Sequence, residues 1–184
     1  FSRMAAGIVK LGAERVFLRL DADSPLVDTA RRAGFFPYLE EILYRRDGGA
    51  AAEMAIAPLR PRARNDMFGV FQLYSHTAAA NVRAIEGATF REWQAAQEKW
   101  GGRVSDLVLE DGGAISAWLR VARGHAGRFR VLAQPGCRDV EGVLGAALAR
   151  LDGDRSVLTL VPAYCGGVAG PLTGLYFIAI AVAG

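Results

Sequence analysis

The stretch SDLVLEDGGAISAWLRVAR, Ser105 to Arg123, constrains the fold more than any other part of the chain. Ile115, Ala117, Leu119 and Val121 alternate with Ser116, Trp118 and Arg120, and this period of two reads as a strand. Asp111-Gly112-Gly113 joins it to the run Ser105 to Asp111, because aspartate followed by glycine between two such runs is a strong hairpin signal. A hairpin in mid-chain needs a sheet around it, and the flanks supply one. RFRVLA, Arg128 to Ala133, reads as a third strand ending in Gln134-Pro135-Gly136. Beyond it Val140, Val143, Leu144, Ala147, Leu148 and Leu151 keep helical spacing over three turns, with Asp139 placed to cap and Gly153 to stop the helix. SVLTLVPAY follows as another strand.

The first half is read in the same way. Ser2 to Leu11 places Met4, Ile8 and Leu11 on one helical face, and Arg15 to Leu20 alternates like a strand. Asp23-Ser24-Pro25 opens a short helix that Gly34 closes, and Tyr38 to Arg45 reads as a strand. DGGAAA at Asp47 to Ala52 is a joint, and Glu53 to Leu59 a short strand. Asn65-Asp66 caps a helix carrying Met67, Val70, Phe71 and Tyr74. Thr77 to Ala88 is a connection with little patterning. It leads to a second helix, which has Thr89 and Glu92 in capping-box spacing and Phe90, Trp93, Gln97 and Trp100 down one side. From Glu53 on the order is β-α-α-β-β-β-α-β, then a glycine-rich stretch and a final strand.

Composition narrows the function classes. With 184 residues and 52% hydrophobic content the chain buries a sizeable core. Of its 22 cationic side chains only Lys10 and Lys99 are lysine, and the arginines are scattered among acids, which excludes a concentrated nucleic-acid footprint. Cys137 and Cys165 form neither a CxxC nor a disulfide framework, and His76 and His125 stand apart from any metal spacing. Without a signal-peptide pattern at Phe1, a reducing cytoplasm is the expected setting. Ser156 to Gly184 is uncharged and long, but Pro162, Gly166, Gly167, Gly170 and Pro171 interrupt it, so buried strands are expected rather than a membrane span.

The element order and several phrases resemble the GNAT N-acetyltransferase superfamily. LRPRARND is similar to the family's first strand and first helix opening, and LVLEDGGAISAWLRV to its second and third strands. FRVLAQPGCRDVEGVLGAALARL resembles the fourth strand and cofactor-binding helix, and SVLTLVPAY the fifth strand. The resemblance covers about residues 53–184, as one repeat. Residues 1–48 look like the C-terminal part of another, including the family's GF phrase at Gly34-Phe35. It implies an α/β fold with a mixed, mostly antiparallel twisted sheet flanked by helices. It also implies a missing first-repeat half or a homodimer as partner. The orphaned tail would expose a sheet edge unless its strand, Tyr38 to Arg45, joins the second-repeat sheet. The second repeat should carry a helix after its fifth strand. Cys165 to Tyr176 is too rich in glycine for one, and the expectation is a mobile or incomplete connection at Leu172–Thr173.

The implied chemistry is acyl transfer from acetyl-CoA to a small-molecule or peptide amine. The family's pyrophosphate phrase starts at Arg138 but has Glu141 where backbone amides should meet phosphate, and Gly142 and Gly145 lie off register. Two readings of this segment stand. In one, Asp139 merely caps a helix whose glycines allow close approach. In the other, Arg138, Asp139 and Gly142 keep a weak CoA site, with the backbone of Leu132 and Ala133 receiving a pantetheine arm. The resemblance makes Tyr164 the candidate acid and Glu110 a candidate base. Plainer readings are a strand-end tyrosine and a solvated turn residue. The alternative function is a catalytically degenerate module with a structural or ligand-binding role.

Overall fold

In the computed structural model, which describes residues 15–47, 54–175 and 177–183, one seven-stranded sheet organises the chain. Its first elements are α1 (Leu26–Arg32), β1 (Glu41–Asp47) and β2 (Arg60–Pro61). Three helices follow: α2 (Asp66–Thr77), α3 (Ala80–Glu86) and α4 (Phe90–Ala96). Next come β3 (Arg103–Asp111), β4 (Ala114–Arg123), β5 (Gly127–Ala133), α5 (Val140–Arg150) and β6 (Ser156–Pro162). A 3-10 turn (Ala163–Val168), α6 (Ala169–Gly174) and β7 (Ile178–Ala183) complete it. The strand order is β2-β3-β4-β5-β6-β1-β7, antiparallel except for β5 beside β6.

The hairpin forms as its alternation predicts. Leu107 faces Leu119 and Val108 faces Trp118 across β3 and β4, and Gly112 and Gly113 take the positive φ that the tight turn demands. Four consecutive residues of β4, Ser116 to Leu119, are buried, so both faces of the sheet are covered. α2 and α5 both pack on β4 and β5. The capping box of α4 is complete, with the Thr89 hydroxyl accepting from Glu92 N–H and the Glu92 carboxylate accepting from Thr89 N–H. Phe71, Tyr74, Phe90 and Trp93 pack ring against ring between α2 and α4, at centroid distances of 5.6 to 6.5 Å.

The strand expected at Tyr38 to Arg45 is an interior strand of the sheet. β1 lies between β6 and β7, pairing with β6 from Glu41↔Pro162 to Asp47↔Ser156 and with β7 from Glu41↔Ala183 to Arg45↔Ile178. The expected pairing is present, with the strand starting three residues after Tyr38.

Several expectations need correction. Arg15 to Leu20 forms no strand, and among the described residues no strand of the sheet pairs with it. Among the described residues of Glu53 to Leu59 no strand forms either, and the edge strand β2 is only Arg60–Pro61. Thr77 to Ala88 contains the helix α3, in which Val82 alone is buried, and so much shallow amphipathicity leaves little period to read. α4 stops at Ala96, short of Trp100, whose ring lies beneath the Arg128 and Arg120 guanidiniums at 4.5 and 5.8 Å. Ala163 to Val168 is a 3-10 segment kinked at Cys165, and Ala169 to Gly174 is α-helical. Pro171 falls in the first turn of α6, where a missing N–H breaks no helical bond, and Cys165, Val168 and Leu172 bury one face. The chain therefore passes through Leu172–Thr173 in a helix rather than in an irregular connection. The expected helix Ser2 to Leu11 and most of the Asp47 to Ala52 joint lie outside the described residues.

Candidate functional site

The sheet opens at one place. β5 and β6 pair only from Gly127↔Val157 to Phe129↔Thr159, yet β5 runs on to Ala133 and β6 to Pro162. Each strand is held on its outer side, β5 by β4 and β6 by β1, so the two diverge as a rigid wedge. The Gln134 N–H bonds to Ser116 C=O on the β4 side, at 2.9 Å. Backbone groups alternate along such a ladder, so those of Leu132 turn towards β4, while those of Val131 and Ala133 face the opening.

A small cavity of about 50 Å³ sits in the wedge, with Arg130, Val131 and Leu132 on one wall and Pro162, Tyr164 and Cys165 on the other. It shares Glu41, Glu86 and Arg130 with an outer cleft of about 360 Å³, which Arg19, Tyr38 and Glu98 also line. Glu86, the last residue of α3, is the group that the sequence reading missed. Its carboxylate accepts from the Tyr74 hydroxyl at 3.0 Å and from the Tyr38 hydroxyl at 3.2 Å. Burial raises its pKa, and the two phenol bonds oppose that shift without cancelling it. Among the described residues it has no ion-pair partner.

The neighbouring ionisable groups are set by the same burial. Glu41 is 6% exposed and is held by Arg19 Nε at 2.7 Å and Arg130 Nη2 at 3.6 Å. Tyr164 has its pKa raised, first by burial and then by the charge of Glu86, so its hydroxyl keeps its proton. Tyr38 and Tyr74 are raised for the same two reasons. Burial pushes the Cys165 thiol up to about 12, which makes it a packing group rather than a nucleophile.

The structure separates the two residues proposed for acid and base. Tyr164 lies in the wedge, whereas Glu110 is at the hairpin end of β3, bonded to Arg60 Nε at 2.7 Å. Arg60 also forks onto Asp66 at 2.6 and 3.0 Å, and that bond chiefly lowers the Asp66 pKa. Glu110 therefore belongs to a clamp between β2, β3 and α2. His76 and His125 are exposed, and no cluster of metal-ligating side chains occurs among the described residues.

At the other end of β5, Gln134 to Cys137 closes a turn, with Cys137 N–H on Gln134 C=O at 3.0 Å and Gly136 at φ 77°. Arg138 is exposed beyond it. Gly142 is buried, and its carbonyl accepts from Ala57 N–H at 3.0 Å. A Cβ there would meet that nitrogen and the Asp139 carboxylate. Gly145 likewise backs onto Met54 and Ala55, so both glycines serve the close passage of the chain over α5. An acyl-CoA thus finds a partial fit. The wedge offers free backbone groups at Val131 and Ala133 for a pantetheine arm, while the first turn of α5 presents Asp139 and Glu141 where a diphosphate needs amides alone.

An apolar groove of about 520 Å³ is also lined by the Arg15 to Leu20 segment, with Val27, Phe36, Tyr38 and Glu40, and the Tyr38 hydroxyl bonds to Glu86 rather than to a carboxylate of the groove. Among the described residues no helix is long and apolar enough to cross a membrane.

No protein-family model matches the chain, and no curated protein matches it. Solved structures do. A GCN5-related N-acetyltransferase from Sphaerobacter thermophilus superposes with a TM-score of 0.56 at 14% identity, over 98% of this chain and 62% of its own. An acetyltransferase from the GNAT family of Colwellia psychrerythraea gives 0.52 at 7% identity, over 99% and 70%. A functionally unknown conserved protein from Staphylococcus epidermidis gives 0.54 at 9% identity, over 91% and 68%. The chain thus spans 62 to 70% of the length of these three structures.

Proposed function

The chain has a GNAT-like fold, and on that fold we propose an acyltransferase that moves an acyl group from an acyl-thioester donor to an amine. The observation that carries the reading is Glu86, a partly buried carboxylate with no salt bridge among the described residues, at the β5–β6 wedge and in one cavity with Tyr164. Fold likeness supports the reaction class by analogy, and the site supports it by chemistry.

When bound, an acyl-CoA supplies the acyl group as a thioester. The chain's own residues have three tasks. Val131 and Ala133 direct backbone groups into the wedge and hold an extended arm there. Glu86 accepts a proton from the acceptor's ammonium, and its raised pKa makes it a stronger base than an ordinary carboxylate. Tyr164, kept protonated by burial, carries a hydroxyl proton in the same cavity. Tyr38 and Tyr74 fix the Glu86 carboxylate between them.

The test is thiol release from acetyl-CoA with a panel of primary amines. Glu86→Gln, which is isosteric, should lower kcat by about 10²-fold or more, the usual contribution of a positioned base. A variant with full kcat would refute the assignment. A degenerate ligand-binding module is the second reading, favoured by Asp139 and Glu141 at the α5 N-terminus. Absence of acetyl-CoA binding in calorimetry, together with amine binding, would decide for it.

A further inference from the structure

We infer that the acceptor cleft selects a protonated amine on an apolar body and discriminates against amines that carry a carboxylate beside the nitrogen. The inference rests on reading the outer cleft as the acceptor side of the wedge. Three carboxylates, Glu41, Glu86 and Glu98, face two guanidiniums, Arg19 and Arg130, across this cleft. Both guanidiniums already face carboxylates of the chain. Arg19 Nε is on Glu41 Oε2 at 2.7 Å and Arg130 Nη2 is 3.6 Å from Glu41 Oε1, while Glu98 Oε2 stands 4.0 Å from each arginine. The three carboxylates outweigh the two guanidiniums, so an incoming carboxylate meets net negative charge in a partly desolvated space, whereas an ammonium is drawn in.

The remaining charge is negative and lines the inner cavity as well as the cleft. Glu86 accepts only two neutral phenol bonds, which leaves lone pairs for an ammonium. One part of the cleft wall is apolar and aromatic. Phe17 and Tyr38 lie ring to ring at 5.9 Å, next to Leu18 and Leu39, and suit a hydrocarbon or aryl body with its ammonium directed at Glu86. The other polar groups at the site are neutral: Gln97 at the cleft, and Tyr74, Tyr164 and Cys165 in the inner cavity.

The discriminating pair is 2-phenylethylamine and phenylalanine, which share an aryl body and differ by the carboxylate. Calorimetry on the unaltered protein, without any acyl donor, should show the amine binding at least about tenfold more tightly, the scale of one charge-assisted contact. Glu86→Gln should remove about that factor for the amine and so narrow its margin over phenylalanine. Equal or tighter binding of phenylalanine to the unaltered protein overturns the inference, whatever the variant does. So does the absence of binding by both at millimolar concentration. If the amine binds with the expected preference but no thiol is released from acetyl-CoA, the transfer reaction fails and the cleft's selectivity stands.

Discussion

The chemistry at the wedge turns on the placement of one carboxylate among phenols. Because burial raises the Glu86 pKa, the base is protonated, and inactive, over a wider acid range than an exposed glutamate. The acid limb of the pH–rate profile should therefore lie above the usual carboxylate value, with activity lost as pH falls through it. A limb at the ordinary glutamate pKa would show that Glu86 is not the titrating base. The stability sign follows from the same shift. In the window above the ordinary glutamate value the folded chain binds more protons than the unfolded one, so this group's contribution to stability declines as pH rises through the folded pKa. Tyr38→Phe removes a phenol bond to the charged form and should move the limb further up. At α5, Glu141→Gln should tighten acetyl-CoA by about 0.3–1 kcal/mol, the size of a charge at a helix N-terminus. Unchanged affinity in titration would show that no phosphate meets this turn. Tyr164 was legible from its place after the fifth strand. Glu86 was not, because a lone glutamate before Gly87 has no motif and acquires meaning only when Tyr38, from a segment far away in sequence, reaches it.

At the scale of elements, the junction of α3 and α4 sets where Glu86 stands. A Cβ on Gly87 would lie 2.6 Å from Trp93 Cα and also against the Trp93 nitrogen, both backbone, so the two helices approach as closely as glycine permits. Gly87→Ala should cost about 1–3 kcal/mol by forcing that contact apart, and should also lower kcat by displacing Glu86. Denaturant unfolding checks the first part, and a stability loss below about 0.5 kcal/mol would mean that the junction gives way easily. The elements that sequence made legible are those whose period is sustained: the hairpin around Gly112, α2, α5 and the Thr89 box. The short ones failed for a common reason. α3 and α6 have six or seven residues and take their stability from packing, and β2 is two residues long, so none shows enough turns to declare itself. Arg15 to Leu20 failed in the opposite sense, because alternation describes a strand's side chains but says nothing of whether a partner backbone exists.

Across the whole molecule, residues near the beginning of the chain build both the sheet and the cleft. Arg15 bonds Ile85 C=O at 2.8 Å and Glu92 at 3.0 Å, Arg19 bonds Glu41, Tyr38 bonds Glu86, and β1 inserts between β6 and β7. Sequence could suggest that this strand must pair, since Tyr38 to Arg45 has large side chains on both faces. It could not choose an interior position, because that choice depends on β6 and β7, more than a hundred residues away in the chain. The position has an energetic consequence. An interior strand loses two ladders when it leaves, and its departure also removes Glu41 from Arg130 and strips the wedge of its outer support. β1 and β6 should therefore open only together. In native-state hydrogen exchange, the amides of Ile42 to Arg46 should be protected to the same free energy as those of Val157 to Val161, while Val16 to Leu20 exchange much faster. Leu43→Pro, which breaks a ladder bond in the interior of the sheet, should cost about 3 kcal/mol or more and abolish amine binding in the same step. Exchange of β1 at the rate of Val16 to Leu20, with β6 still protected, would mean that the strand is an appendage. The acceptor cleft would then have to be built without it, and Glu41 and Tyr38 would lose the roles assigned to them.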